Sequence, residues 1–154
     1  MRLTAYTDYT LRTLMYLAIK ADRHVTIAEI AQTYRISENH LMKIVHQLGV
    51  AGDITTLRGR NGGIRLGKAA SDINLGDVVR RTEPDMDLVT CFEDAEACAI
   101  SEACVLRSAL NEALRAFLAV LDRYTLADLV KPGRKLTMLL GIASAAHPTE
   151  VRVS

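Results

Sequence analysis

The sequence predicts a mainly α-helical protein that begins with a winged helix-turn-helix and carries a long helix near its end. Three observations predict it: two short helical patterns separated by a break, a basic hairpin directly after them, and a wide apolar stripe over residues 105–123. With 154 residues, 49% of them hydrophobic, the chain can form one domain with an appended dimerisation element. The predicted divisions are a head at 1–82, a cysteine-bearing segment at 83–104, a dimerisation helix with a C-terminal helical segment at 105–142, and a flexible tail at 143–154.

The first two helices are predicted from apolar spacing and from capping residues. Within 4–20 the residues that share one broad face, as an amphipathic helix requires, are Tyr6, Tyr9, Thr13, Leu14, Leu17 and Ala18. Thr26 and Glu29 have the spacing of a capping box, which predicts that a second, short helix begins there. The pattern breaks at Arg35-Ile36. A tight turn is therefore expected at that point.

A third helix is predicted to start after Ser37, which is a good N-cap residue. Its expected buried stripe consists of Leu41, Ile44, Val45 and Leu48. Two short helices joined by a tight turn, the second exposing polar residues, fit a helix-turn-helix that enters the major groove of DNA. We therefore expect Ser37 to lie near a phosphate and Asn39, His40 and Lys43 to read bases.

The next segment favours a wing. Strand-like runs at 53–57 and 64–66 flank the sequence RGRNGG, and Asn-Gly between strands is a strong hairpin signal. Arg58, Arg60 and Asn61 are then expected to contact phosphates or a narrow minor groove. The alternative is a solvated turn that happens to be basic.

The charge is unevenly distributed although the formal net charge is only +1. Residues 1–70 carry ten Lys/Arg against five Asp/Glu, whereas residues 71–104 carry two against nine. A basic head next to an acidic segment supports binding of nucleic acid to the head. Catalytic constellations such as Ser-His-Asp are absent from the sequence, so an enzyme is not expected. Neither a run of about 18 apolar residues nor a signal-peptide pattern is present, so no membrane association and a cytoplasmic location are expected.

All three cysteines of the chain lie close together, at Cys91, Cys98 and Cys104. An odd number cannot all pair within one chain, and such a cluster is typical of metal ligands. Soft thiolates favour an iron–sulfur cluster, zinc or copper(I), and gaps of six and five residues are long for a zinc knuckle. An iron–sulfur cluster is the preferred interpretation; a thiol redox switch, zinc and inert cysteines are the alternatives. Three thiolates leave a fourth position to a ligand that is not cysteine.

After the hairpin, Asn74 is expected to cap a short helix over 75–81. The stripe over 105–123 contains Leu110, Leu114, Phe117 and Leu121, and is most simply buried against a second copy of the chain. The alternative is that it packs on its own head. A last short helix is predicted over 125–130, and the apolar run 136–142 is expected to pack back.

Five segments together resemble the iron–sulfur winged-helix repressors, a family of transcription regulators. They are 3–9 (LTAYTDY), 27–31 (IAEIA), 37–43 (SENHLMK), 57–66 (LRGRNGGIRL) and 87–92 (DLVTCF). The similarity runs from Met1 to about Val130 and is greatest to the branch that senses nitric oxide. It implies a homodimeric repressor that binds double-stranded operator DNA and releases it when nitric oxide nitrosylates or removes the cluster.

The resemblance also implies a ligand set. Each cluster would be held by Cys91, Cys98 and Cys104, with Asp8 of the other subunit as the fourth ligand. Arg12, one helical turn after Asp8, would orient the carboxylate. Without the family, Asp8 is simply a surface residue that pairs with Arg12.

The implied cofactor is a 4Fe–4S cluster, with 2Fe–2S as the alternative. A second branch of the family uses a histidine just after the third cysteine and carries a 2Fe–2S cluster. No histidine occurs here between His46 and His147, which argues against that branch. A regulator that senses iron–sulfur or redox status, or a thiol-based redox switch, is the alternative function.

Overall fold

The protein is mainly helical, with one two-stranded sheet, in agreement with the predicted fold class. The computed structural model describes residues 2–60, 62–92, 94, 98–100 and 103–142; the predicted tail and Asn61 lie outside the described residues. The helices are α1 (Ala5–Ile19), α2 (Ile27–Tyr34), α3 (Glu38–Val50), α4 (Leu75–Thr82), α5 (Val105–Leu121), α6 (Leu126–Leu129) and α7 (Gly133–Leu139). The strands are β1 (Ile54–Leu57) and β2 (Gly63–Leu66), and single 3₁₀ turns occupy Ala70–Asp72 and Thr90–Phe92. Within the described ranges, no helix combines the length and the apolar character needed to cross a lipid bilayer.

The core of the head is built around α1. The side chains that α1 buries are Thr7, Thr10, Thr13, Leu14, Tyr16 and Leu17. Buried hydroxyls need hydrogen-bond partners. Thr10 and Thr13 donate to the carbonyls of Tyr6 and Tyr9, one turn earlier, at 2.8 and 2.7 Å. The threonines can therefore enter the core together with Leu14 and Leu17.

The capping box predicted for α2 is only half formed. The hydroxyl of Thr26 accepts a hydrogen bond from the Glu29 N–H at 3.2 Å, as expected. The Glu29 carboxylate does not return to Thr26 but accepts from the Tyr16 hydroxyl at 2.7 Å and from the Arg23 guanidinium. The hydrogen bonds from Arg23 hold the pKa of Glu29 below its usual value. A long-range ion pair has thus replaced the local contact.

The turn between α2 and α3 lies where the sequence pattern breaks. Arg35 adopts a left-handed conformation with φ 55°, which ends α2, and Ile36 is buried in the turn. Ser37 is the N-cap residue of α3, as predicted by its position. Among the described residues, however, its exposed side chain accepts no hydrogen bond from the first turn of the helix. Ser37 begins α3 without a side-chain cap.

The wing is an antiparallel hairpin in which Ile54 pairs with Leu66 and Leu57 pairs with Gly63. Each strand differs from its predicted bounds by one residue. Close to its loop the hairpin is anchored by Ile64, which is buried and exchanges backbone hydrogen bonds of 2.8 and 2.9 Å with Val25. A Cβ at Gly63 would lie 2.7 Å from the Val25 carbonyl oxygen, so this close approach requires glycine.

Helix α4 links the head to α5. Its predicted cap is confirmed, because the Asn74 side chain accepts from the Asp77 N–H at 3.1 Å. Near the C-terminal end of α4, Arg80 makes two hydrogen bonds of 2.7 Å with the carboxylate of Asp122, which follows α5. Asp122 packs directly over Gly76, where a Cβ would lie 1.9 Å from its Oδ1 atom. The junction between α4 and α5 is therefore closely fitted.

Replacing Gly76 with alanine is expected to destabilise the protein modestly, because the helix preference for alanine, about 1 kcal/mol, only partly offsets the clash with Asp122. The added methyl group would displace Asp122 from Arg80. Urea unfolding monitored by circular dichroism would measure the change. The double variant Gly76→Ala/Asp122→Ala should be more stable than Asp122→Ala alone by up to about 1 kcal/mol, because the obstruction is gone and alanine favours the helix. Wild-type stability of the single variant Gly76→Ala would contradict this account of the junction.

Helix α5 has two apolar faces. The leucine-rich face predicted to form a dimer interface is half-buried by its own chain, and its members are Leu110, Leu114, Phe117 and Leu121. Leu114 and Phe117 line a cleft together with Leu3 and Leu88. The face left exposed is a second stripe at heptad-like spacing, which we call the α5 stripe: Leu106, Ala109, Ala113, Ala116 and Val120. The packing of the leucines on their own head follows the alternative interpretation.

The last helices are short. Thr125 and Asp128 form a complete capping box at the start of α6, close to the predicted bounds. Hydrogen bonds from Lys131 and Thr125 lower the pKa of Asp128 to about 2. Part of the run predicted to pack back does so, since Ile142 contacts the core, whereas Met138 is exposed.

Candidate nucleic-acid interface and metal centre

The exposed face of α3 carries most of the predicted base-reading residues. Leu41, Ile44 and Leu48 are buried on the opposite face. Asn39 and Lys43 are exposed, as base contact requires. Two further exposed side chains lie on the same face, Met42 and His46. Met42 was not predicted to contact DNA, whereas His46 was predicted to face either DNA or solvent, in keeping with its helical spacing from Asn39.

His40 lies on a different flank of α3 from Asn39 and Met42. Its ring centroid is 6.3 Å from that of Tyr9 in α1, with the ring planes tilted by 41°. This contact directs His40 towards α1. His40 is nevertheless exposed near the N-terminal end of α3, and its assignment as a base reader stays a prediction.

The loop at the tip of the wing presents two cationic side chains. Arg58 and Arg60 are exposed in the loop that joins β1 to β2. Among the described residues neither forms an ion pair, in contrast to Arg12, Arg80 and Arg81. Both guanidinium groups are thus available to an external anion. Asn61, predicted to contact DNA beside them, lies outside the described residues.

Clefts flank the exposed face of α3, while its opposite face packs on the head. The cleft towards α1 and α4 has a volume of about 830 Å³ and is lined by Tyr6, Lys43 and Arg81, among others. The cleft towards the wing has a volume of about 450 Å³ and is lined by Val45 and Thr56, among others. An α-helix that projects between two clefts has the shape needed to enter a major groove.

Asp8 lies in the first turn of α1 and forms an ion pair with Arg12. The shortest distance between the carboxylate and the guanidinium is 2.8 Å, and both side chains are a little under half exposed. Arg12 also lies over the ring of Tyr34 in α2, 5.9 Å from its centroid. Burial raises the pKa of Tyr34. The ion pair expected of Asp8 as an ordinary surface residue is therefore present, and it leaves Asp8 accessible at the surface.

The three cysteines have free thiols and occupy different settings. Cys91 is half-buried within the 3₁₀ turn Thr90–Phe92, and Cys98 is exposed. Cys104 is half-buried at the N-cap of α5, where its Sγ atom accepts from the Arg107 N–H at 3.4 Å.

The donor chemistry suits an iron–sulfur cluster better than a harder ion, because three of the candidate ligands are thiols. Within the part of the chain that the structure describes, no group of three or more His, Cys, Asp or Glu side chains is close enough to hold a metal ion. One chain does not contain the whole predicted set, because Asp8 would come from a second copy. The ligand assignment accordingly stays a prediction.

The cysteine-bearing segment starts next to the helix that carries Asp8. The Glu83 carboxylate accepts from the backbone N–H and the hydroxyl of Thr4, at 2.8 and 3.1 Å. The hydroxyls of Thr7 and Thr82 lie 2.9 Å apart. These long-range contacts, which sequence patterns do not reveal, join the end of α4 to the start of α1.

A winged helix-turn-helix followed by three free cysteines defines a class of protein: a transcription regulator with a thiol-rich segment attached to its DNA-reading head. The family described as "Rrf2: Iron-dependent Transcriptional regulator" matches residues 3–132, and the chain belongs to this family. It is 53% identical over 142 residues to the HTH-type transcriptional regulator NsrR of Bacillus subtilis, covering 91% of this chain and 97% of that protein. The resemblance found in the sequence motifs is thereby confirmed.

Solved structures agree with the fold. CymR, the global cysteine regulator of B. subtilis, superposes with a TM-score of 0.70 at 29% identity, covering 86% of this chain and 98% of that one. IscR of T. potens superposes with a TM-score of 0.71 at 24% identity, covering 90% and 92%, and supports the fold alone.

Proposed function

We propose that this protein is an iron–sulfur-cluster-dependent transcriptional repressor that binds operator DNA as a homodimer and releases it in response to nitric oxide. The observation that carries the proposal is the layout of one head. Its exposed α3 face and exposed wing arginines suit DNA, while the cysteine-bearing segment begins at Glu83, which is hydrogen-bonded to Thr4 at the start of the helix that holds Asp8. The 53% identity to NsrR supports the same function.

The DNA-binding part of the proposal follows from shape and charge. Helix α3 enters the major groove, where Asn39, Lys43 and His46 face base edges and Ser37 lies near a phosphate. Arg58 and Arg60 reach the flanking backbone from the wing. Asn39 can bond an adenine through both its amide atoms, whereas the wing arginines neutralise phosphates without reading sequence.

Two substitutions should therefore have different effects on DNA binding. Asn39→Ala is expected to cost about 1–3 kcal/mol on the operator and to relax specificity at one base position. Arg60→Ala is expected to weaken all sequences alike and to reduce the dependence of affinity on salt. Anaerobic binding titrations on operator and scrambled duplexes at several salt concentrations would measure both effects. If neither variant binds the operator more weakly, the docking arrangement is wrong.

The cluster would be held by Cys91, Cys98 and Cys104 of one chain and by the partner's Asp8. This set of three thiolates and one carboxylate suits a 4Fe–4S cluster better than it suits the 2Fe–2S cluster of the branch that uses a histidine ligand. When bound, it supplies iron that reacts with nitric oxide. A carboxylate oxygen is a harder ligand than a thiolate and is the weakest of the four.

Arg12 has two roles in this proposal. In the ligated dimer it orients the carboxylate through the hydrogen bond already present, 3.0 Å from Arg12 Nε to Asp8 Oδ1. When Asp8 is no longer a ligand, the ion pair with Arg12 keeps the carboxylate within its own head. The link between the two subunits is then broken. Dimeric helix-turn-helix proteins need recognition helices about 34–36 Å apart, so a small change in spacing weakens operator binding.

Nitric oxide is expected to release the protein from its operator. An anaerobic gel-shift titration of iron-loaded protein would test this, with the visible absorbance of the cluster followed in parallel. Operator affinity should fall in step with the loss of that absorbance. Full operator affinity after complete reaction would rule out the sensor function.

The exposed Cys98 thiol favours one second candidate function, a thiol redox switch. Release of iron-free protein from the operator by the thiol oxidant diamide would support this function instead.

A further inference from the structure

One carboxylate in the head is buried and ion-paired on both of its oxygens. It belongs to Asp53, in the turn between α3 and β1, and its side chain is 2% exposed. Lys68 Nζ lies 2.9 Å from Oδ1, and Arg81 Nη2 lies 2.6 Å from Oδ2. A charge in such a place is costly unless it is paired. The two cations come from the end of the wing and from α4.

The backbone of Asp53 makes two further connections. Its N–H donates to the Leu48 carbonyl at the end of α3, at 3.0 Å, and its carbonyl accepts from the Gly67 N–H after β2, at 2.8 Å. Asp53 thus joins four elements: the end of α3, the two strands at the base of the hairpin, and α4. Lys68 and Arg81 are each about two-fifths exposed, but the pairs are needed because they offset the burial of the Asp53 carboxylate. Their geometric constraint on the wing is the more important effect.

We infer that Asp53 and Arg81 are positioning residues for DNA binding, through which α4 fixes the tilt of the wing relative to the recognition helix. The inference rests on the proposed function. A two-stranded hairpin is marginally stable, so its orientation depends on the contacts that hold it, which are Val25 beside the loop and Asp53 at the base. Four-residue strands are about 13 Å long, so a tilt of about 10° at the base would move the tip by about 2 Å. Such a movement takes Arg58 and Arg60 out of hydrogen-bond range of a phosphate.

The same arrangement connects the wing to the cysteine-bearing segment. Arg81 lies in the last turn of α4, two residues before Glu83, where that segment begins. Helix α4 is continuous from its N-cap, Asn74, to Glu83. A displacement of the segment would therefore reach the wing through Arg81 and Asp53. The bases read by α3 need not change in this process.

The test compares two palindromic duplexes selected from random DNA by the wild-type protein. Both contain the same half-sites, but only the longer one includes the flanking base pairs that the wings would reach. The ratio of affinities for the longer and the shorter duplex is the flank gain. Proteins are full-length, purified without oxygen and checked for dimerisation. The variants are Arg81→Met and Asp53→Asn, and the matched control is Arg80→Met, which removes an ion pair from the adjacent position of the same helix.

Wild type and Arg80→Met should have the same flank gain. In Arg81→Met and Asp53→Asn it should fall by about threefold or more, and the slope of log affinity against log salt should decrease by about 0.9 for each phosphate that the wing no longer neutralises. Preference for the selected half-sites over scrambled ones should be unchanged. In an Arg58→Ala/Arg60→Ala background, Arg81→Met should weaken binding no further, because the side chains that it positions are gone.

An unchanged flank gain in folded Arg81→Met would overturn the inference, as would an equal decrease in Arg80→Met or a wild-type protein with no flank gain. If Asp53→Asn does not fold, Lys68→Met takes its place, since it leaves Asp53 one cation. Failure of the wild-type protein to select any duplex would instead refute the proposed function. The two failures are therefore distinguishable.

Discussion

Ala113→Asp is expected to convert the proposed homodimer into monomers and to reduce operator affinity by about a hundredfold or more, the usual loss when two linked binding events become one. Ala113 is exposed at the centre of the α5 stripe, where small side chains allow two helices to approach closely. In a dimer formed through this stripe, a carboxylate at Ala113 would be buried without a partner. Analytical ultracentrifugation and operator titration would measure the two effects.

The matched control is Ser108→Asp, which adds the same charge to the polar side of α5. Ser108 is exposed and lies outside the α5 stripe, next to Glu112 and Arg115 on the helix surface. The Ser108→Asp variant should leave both dimerisation and operator affinity unchanged. A well-folded dimer of Ala113→Asp would show that the stripe is not the interface. The leucine-rich face is a poor place for this test, since a charge at Leu114 would also disturb the head of its own chain.

Each of the substitutions Cys91→Ala, Cys98→Ala and Cys104→Ala is expected to abolish cluster incorporation, because two thiolates and a carboxylate cannot replace the full set. Asp8→Ala should still acquire a cluster, although a more labile one. Iron and sulfide content and the visible spectrum, measured after anaerobic purification, would check both outcomes.

Asp22→Ala is the control for the loss of an acidic side chain from the head, since Asp22 is exposed just after α1. It should retain wild-type iron content and lability. Equal loss of iron in Asp8→Ala and the three cysteine variants would remove the special role of the carboxylate. Wild-type lability in Asp8→Ala would exclude Asp8 as a ligand.

The helices of the head could be predicted because their signals are local. Apolar periodicity and N-cap residues act within one or two turns, and Asn74 and Thr26 both cap helices as expected. The second hydrogen bond of the capping box, from the Thr26 N–H to the Glu29 carboxylate, does not form for a long-range reason. Glu29 is engaged by Tyr16, 13 residues away in sequence, and by Arg23.

The candidate site was predictable only in part. The three cysteines can be chosen as candidate ligands from residue type and spacing alone. The exposed positions of Asn39 and Lys43 can likewise be predicted from helical spacing. His40 and His46 are both on the recognition helix, and periodicity alone does not tell which flank α1 covers. The contact between Tyr9 and His40 depends on how two helices cross.

Fold class, the basic head, the acidic thiol-bearing segment and the long apolar helix could all be inferred from the chain alone, since each reflects composition or a short repeat. Which apolar face of α5 remains exposed depended on the packing of the segment around Leu88. Asp53 likewise looked like an ordinary residue at the start of a strand until Arg81, 28 residues later, was found against it. Charge pairing and burial at such separations depend on how the elements are assembled, and no local pattern encodes that assembly.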